Sequence, residues 1–164
     1  MARKLSHVDT KGRPRMVDVS AKRASLREAT ARASVIFPPD VAKTLRARDM
    51  HSSKGSIVDA AIIAGTMAAK RTHELIPFCH PLALERCTIA VVSEKAGRIR
   101  VVCNVAVHHK TGVEMEALVG ASAAALTIYD MCKALSHDIV IESTRLLRKT
   151  GGKRDFQRTP RKKK

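Results

Sequence analysis

The chain has 164 residues, of which 45% are hydrophobic, enough for one domain with a core of its own. Its formal net charge of +16 points to anionic partners, while aromatics at only 2%, with no Trp, leave few base-stacking platforms and disfavour nucleic-acid binding. No apolar run is long enough for a bilayer, the basic start MARKLSHVDTKGRPR has no apolar h-region, and Cys79, Cys87, Cys103 and Cys132 show neither CxxC spacing nor disulfide density; a reducing, cytoplasmic setting without a membrane partner is expected.

In chain order, residues 1–14 read as a flexible arm broken by Gly12 and Pro14. Met16 to Val19 suggest a short extended piece. From Ser25 to Phe37 apolar and polar residues alternate, which predicts a strand. Pro38-Pro39-Asp40 ends it and opens a helix over Val41 to Arg48. After a loop around Lys54-Gly55, Ser56 with Asp59 three residues on reads as the cap of a second helix from Ile57 to about His73. The prolines of Ile76-Pro77-Phe78-Cys79-His80-Pro81-Leu82 predict a rigid irregular loop. Glu85 to Glu94 and Arg98 to Val107 alternate around a short turn and read as a hairpin. A small, apolar, proline-free stretch after Gly112 predicts a buried helix, and Asp138 to Leu147 the last strand. Strand, helix, helix, hairpin, helix, strand implies an α+β fold, ferredoxin-like, an antiparallel sheet with helices packed on one face. The domain covers residues 15–156, and residues 157–164 are expected to be a basic disordered tail.

Charged groups in the third long helix and its flanks attract attention. Asp130 and Lys133, three apart, share a helix face at the end of an apolar run, where charges must be paired or must work. Glu114 and Glu116 would share a face if extended and diverge if helical; close carboxylates push each other's pKa values apart. Cys79-His80 sits between prolines, and a held histidine suits acid–base work or phosphate binding, the alternative being a ring satisfied by backbone groups. Lys54-Gly55 and Lys149-Thr150-Gly151-Gly152-Lys153 set lysines beside glycines, as anion-binding loops do, without matching the nucleotide-triphosphatase loop GxxxxGKS/T. No paired motif offers a metal site.

The segments MVDVSAK (Met16–Lys22), AAKRT (Ala68–Thr72), LIPFCHPL (Leu75–Leu82), KTGVEMEAL (Lys110–Leu118), AALTIYDMCKA (Ala124–Ala134) and RLLRKTGGK (Arg145–Lys153) together resemble the cyclic pyranopterin monophosphate synthases, the C proteins of molybdenum cofactor biosynthesis. The resemblance runs from about Leu5 to Phe156. It implies conversion of a cyclised dihydro-GTP intermediate to cyclic pyranopterin monophosphate with release of pyrophosphate. It implies a homohexamer, a trimer of dimers with sites at dimer interfaces. By the same resemblance Asp130, Lys133, Lys54 and Lys149 are the expected catalytic residues, with Asp130 the acid–base aspartate. Phe78, Cys79, His80, Met115 and Glu116, with Glu114 beside them, are expected to bind substrate. No cofactor is assigned; Mg2+ is compatible with the triphosphate or the pyrophosphate. Around Lys54 the chain reads Ser53-Lys54-Gly55-Ser56 where the family more often has His-Lys-Gly-Asp. A lysine among other cations, or partly desolvated, is expected to have a lowered pKa.

Overall fold

The structure, a computed structural model, describes residues 8–9 and 11–159. The proposed arm at 1–14 and tail at 157–164 therefore lie partly outside the described residues. In chain order the elements are β1 (Ser25–Ile36), α1 (Pro39–Ala47), β2 (His51–Ser52), β3 (Gly55–Ser56), α2 (Ile57–Lys70), α3 (Thr72–Leu75), β4 (Arg86–Ser93), β5 (Arg98–His109), α4 (Glu114–Cys132), β6 (Val140–Thr150) and β7 (Phe156–Gln157). The main sheet is ordered β4-β5-β1-β6-β7 and every pairing in it is antiparallel. Without the short β7, this is the order of a β-α-β-β-α-β ferredoxin-like fold.

Alternation builds the core. Ala29, Ala31, Ala33 and Val35 of β1 lie opposite Val105, Cys103, Val101 and Ile99 of β5, and all are buried. Directly opposed residues share a sheet face, so this is the face that α4 and α2 cover. On α4 the buried stripe is Ala117, Gly120, Ala121, Ala124, Ala125, Ile128 and Cys132. Side chains this small require the backbones themselves to come close. A Cβ added at Gly65 of α2 would stand 2.8 Å from the Gly120 carbonyl oxygen, and one added at Gly120 would stand 2.8 Å from Cys103 Sγ.

Some elements differ from the sequence reading for local reasons. The loop around Lys54 is a small hairpin, with His51 opposite Ser56 and Ser52 opposite Gly55, and it puts Lys54 at its tip. Met16 to Val19 form no strand. β6 begins at Val140 and runs to Thr150, past the expected end at Leu147, because Arg148 and Lys149 still pair with Thr30 and Ala29 of β1. Beyond it Gly151 turns at φ +80°, where a Cβ would sit 1.8 Å from the Leu26 carbonyl oxygen. The chain then returns as β7, with Gln157 opposite Arg148, so pairing enters the proposed tail. Ser56 caps α2 as expected, its hydroxyl oxygen accepting from the Asp59 N–H at 3.2 Å.

Gly65→Ala tests the close approach. The obstructing atom is backbone and cannot swing aside, so the overpacking cost of about 1–3 kcal/mol should exceed the gain in helix propensity of about 1 kcal/mol. Urea unfolding should show a net loss of stability; a more stable variant would refute the tight seam.

Candidate active site

An open pocket of about 630 Å³ lies at the N-terminal end of α4. Phe78, Cys79 and His80 line it from the loop between α3 and β4, Glu114, Met115 and Glu116 from the first turn of α4, and Lys149 from the end of β6. The sequence-predicted binding residues thus come together, and Lys149 joins them. Both glutamates line the pocket although they are helical, against the expectation that helical geometry would leave only one able to face a site. Glu114 Oε1 accepts from Lys149 Nζ at 2.7 Å. His80 Nε2 lies 2.9 Å from the Val17 carbonyl oxygen. A carbonyl can only accept, so Nε2 carries the proton, and in the neutral ring Nδ1 is left as an acceptor. The backbone thus fixes the ring orientation without using both nitrogens.

Glu116 is 4% exposed. Burial, with the Glu114 charge adding to it, pushes its carboxyl up from 4.5 to about 7. It is poised to hold or release a proton near neutrality. Burial and, after it, the Glu116 charge also raise the Cys79 thiol, so Cys79 presents a neutral S–H.

The pocket also holds Lys153, which the sequence placed in a candidate anion-binding loop, and three cations that the sequence reading did not single out: Lys22, Arg27 and Lys110. Lys22 and Lys110 lie inside the motifs quoted above and could have been found there. Arg27 had no such signal; its place follows from β1 running beside β5, where its Nε donates to the His109 carbonyl at 3.1 Å.

Asp130, Lys133 and Lys54 form a separate cluster. Asp130 Oδ1 accepts from Lys133 Nζ at 2.7 Å and Oδ2 from Lys54 Nζ at 3.5 Å. All three side chains are more than half exposed, so the expectation that Asp130 and Lys133 sit in an apolar setting is corrected: the end of α4 presents both to solvent, and the hairpin tip brings Lys54 to them. The Lys133 hydrogen bond, then the charges of Lys133 and Lys54, hold the Asp130 carboxyl below its ordinary range. The same hydrogen bond raises the Lys133 ammonium, opposite to the lowered lysine the sequence suggested, because its dominant neighbour is an anion. Exposed pairs of this kind add little to stability.

The pocket and this cluster stand at opposite ends of α4. From Glu114 to Asp130 the helix rises about 24 Å at 1.5 Å per residue. Within one chain they cannot act on the same small molecule.

A family model described as the MoaC family matches residues 16–152. Among curated relatives, a cyclic pyranopterin monophosphate synthase of Xanthomonas campestris pv. campestris (strain B100) is 58% identical over 153 residues, covering 93% of each chain. One of Xanthomonas oryzae pv. oryzae (strain MAFF 311018) is 57% identical over 155 residues, again covering 93% of each. A molybdenum cofactor biosynthesis bifunctional protein of Synechocystis sp. (strain ATCC 27184 / PCC 6803 / Kazusa) is 47% identical over 159 residues, covering 94% of this chain and 46% of that protein.

The buried carboxyl makes stability depend on pH in a defined direction. Because the folded state holds the Glu116 proton up to about 7, against an ordinary 4.5, it binds more protons than the unfolded chain between those values. This contribution is therefore neutral below the ordinary value, destabilises progressively as pH rises to about 7, and is constant above. Its full size is on the order of 2–4 kcal/mol. Glu116→Gln should flatten the melting temperature across this range relative to the parent and melt higher above pH 7. Parallel pH profiles for the two proteins would refute the buried carboxyl.

Proposed function

The chain belongs to the MoaC family, and on that premise we propose that it is a cyclic pyranopterin monophosphate synthase, converting the cyclised dihydro-GTP intermediate to cyclic pyranopterin monophosphate and pyrophosphate. The observation that carries the reading is the pocket itself: an aromatic, a held histidine and a titratable glutamate surrounded by Lys22, Arg27, Lys110, Lys149 and Lys153. A triphosphate needs that much positive charge for binding, and its neutralisation favours departure of pyrophosphate.

The chemistry divides between the pocket and the Asp130 cluster. In one step a ribose-derived hydroxyl attacks the α-phosphate, the P–O bond to the β-phosphate breaks, and the hydroxyl proton passes to a base. Lysines hold the phosphate oxygens and stabilise the charge that grows on the leaving pyrophosphate. In the ring rearrangement protons must move, and the resting states suit distinct roles. Asp130 is held ionised and can accept a proton, Lys133 is held protonated and can donate one, and Glu116 can do either near neutral pH. Phe78 and Met115 supply apolar contact for the ring system, and His80, fixed through Val17, offers its Nδ1 as an acceptor.

A complete site draws on two chains. The pocket of one protomer would be closed by Asp130, Lys133 and Lys54 from a second, since the length of α4 keeps a chain's own cluster away. A dimer with such shared sites, three of them forming a hexamer, is the assembly that fits. The cytoplasm is the fitting compartment, in keeping with the free thiols of Cys79, Cys87, Cys103 and Cys132. Among the described residues no helix is long and apolar enough to cross a membrane.

Incubation with the cyclised dihydro-GTP intermediate should release pyrophosphate; its absence under conditions where the substrate binds would overturn the reading. Asp130→Asn and Lys149→Gln should each lower turnover at least about a hundredfold while melting near the parent temperature. Mixed oligomers of these two inactive variants should recover activity at roughly a quarter of their sites, because one chain supplies an intact pocket and another an intact cluster. Mixing Asp130→Asn with Lys54→Ala should recover none, since both residues belong to the same cluster. Recovery in the second mixture, or none in verified oligomers of the first, would refute the division.

A further inference from the structure

The sheet face turned away from α2 and α4 carries a group of arginines that the reaction does not use. Arg32 of β1 lies directly opposite Arg145 of β6, and Arg100 of β5 stands one step along, opposite Ser34. Like charges directly opposed across a ladder destabilise it. The juxtaposition depends on an irregularity in β6. Between Glu142, opposite Ser34, and Arg145, opposite Arg32, β6 uses one residue more than β1, and Ser143 takes a left-handed φ of 59°. A regular strand would have put Thr144 at this position and turned Arg145 to the helical face.

The neighbouring carboxylates are already engaged. Glu142 pairs with Arg98, and Glu94 pairs with Arg100 at 3.1 Å. Among the described residues Arg32 and Arg145 have no carboxylate partner. The Nε atoms of Arg32 and Arg100 are shielded from water and find no acceptor, while Arg145 Nε donates to the Ser143 carbonyl at 3.2 Å. Shielded N–H donors without an acceptor are costly, and more so on charged groups.

We propose that Arg32, Arg100 and Arg145 form an anion site on the open face of the sheet that takes the phosphate group of a small molecule. A tetrahedral phosphate dianion offers enough oxygens for several guanidinium forks at once, whereas a carboxylate has only two, and a single bidentate fork engages both. Bound there, it would accept from the orphaned Nε–H groups and offset the opposition of Arg32 and Arg145. Burial, then Arg145 and Arg100, disfavour the Arg32 charge while no anion is present. The site is distinct from the active pocket. Arg32 is about 13 Å along β1 from the pocket residue Glu28, and Lys149, opposite the buried Ala29, points to the helical face.

The test uses the full chain in chloride buffers of matched ionic strength, with inorganic phosphate as the probe, followed by calorimetric titration and melting. Phosphate should bind and raise the melting temperature of the parent, and a component of that binding should survive in Lys149→Gln. In Arg32→Gln and in Arg145→Gln that component should weaken at least about tenfold. Without phosphate Arg32→Gln should melt no lower than the parent, because a like-charge opposition has been removed. Arg32→Lys, which keeps the charge and loses the fork, should also bind phosphate more weakly, and it serves should the glutamine variant not fold. Competition by a nucleoside monophosphate at well below the phosphate concentration would identify a nucleotide as the source, and equal potency would identify phosphate itself. Phosphate binding unchanged in the arginine variants, binding abolished by Lys149→Gln alone, or no binding to the parent would overturn the proposal.

Discussion

Gly65 and Gly120 let α2 and α4 approach until backbone faces backbone, and Cys103 reaches from the sheet into the space a Gly120 side chain would occupy. With aromatics so scarce, the core is filled by alanine, valine and isoleucine, which bury modest area each. Dense contact between short side chains is then the available source of stability, and it requires the helices to lie close. The same closeness fixes α4 over β1 and β6, and so decides where its two ends fall. One end delivers Glu114 beside Lys149 and leaves Glu116 enclosed; the other carries Asp130 out into solvent.

The two ends of α4 differ in their electrostatics. At the N-terminal end enclosure dominates, raising the Glu116 and Cys79 values. At the C-terminal end pairing dominates, pulling Asp130 down and Lys133 up in an exposed setting. Glu116 and the Asp130–Lys133 pair are thus held apart on one helix, each shaped by its own surroundings.

Much of this was legible in the residues, and for physical reasons. The long run without proline after Gly112 and the Ser56 cap are local signals, and they marked α4 and the start of α2 within a residue or two. The alternation of β1 and β5 is equally local. What could not be read was set by pairing between distant segments. Arg27 reaches the pocket and Arg32 meets Arg145 through register, and the displaced residue in β6 that creates the second meeting leaves no compositional trace. The segments carrying Glu116 and Asp130 both looked chemically active, but only the length of the helix between them shows that they cannot serve one pocket within a chain.

The central position of β1 has a consequence for how the molecule is made. Glu28 pairs with Thr150 and Ile36 with Val140, so one long edge of β1 waits for residues 140–150 to leave the ribosome. Until then β5 can cover the other edge, but the waiting edge is a row of open backbone groups, the usual starting point for pairing with the wrong chain. Glu28, Thr30, Arg32 and Ser34 alternate along it with the buried alanines. Their charge and polarity act as gatekeepers on the nascent strand, discouraging a neighbouring polypeptide from adding itself where β6 has yet to arrive.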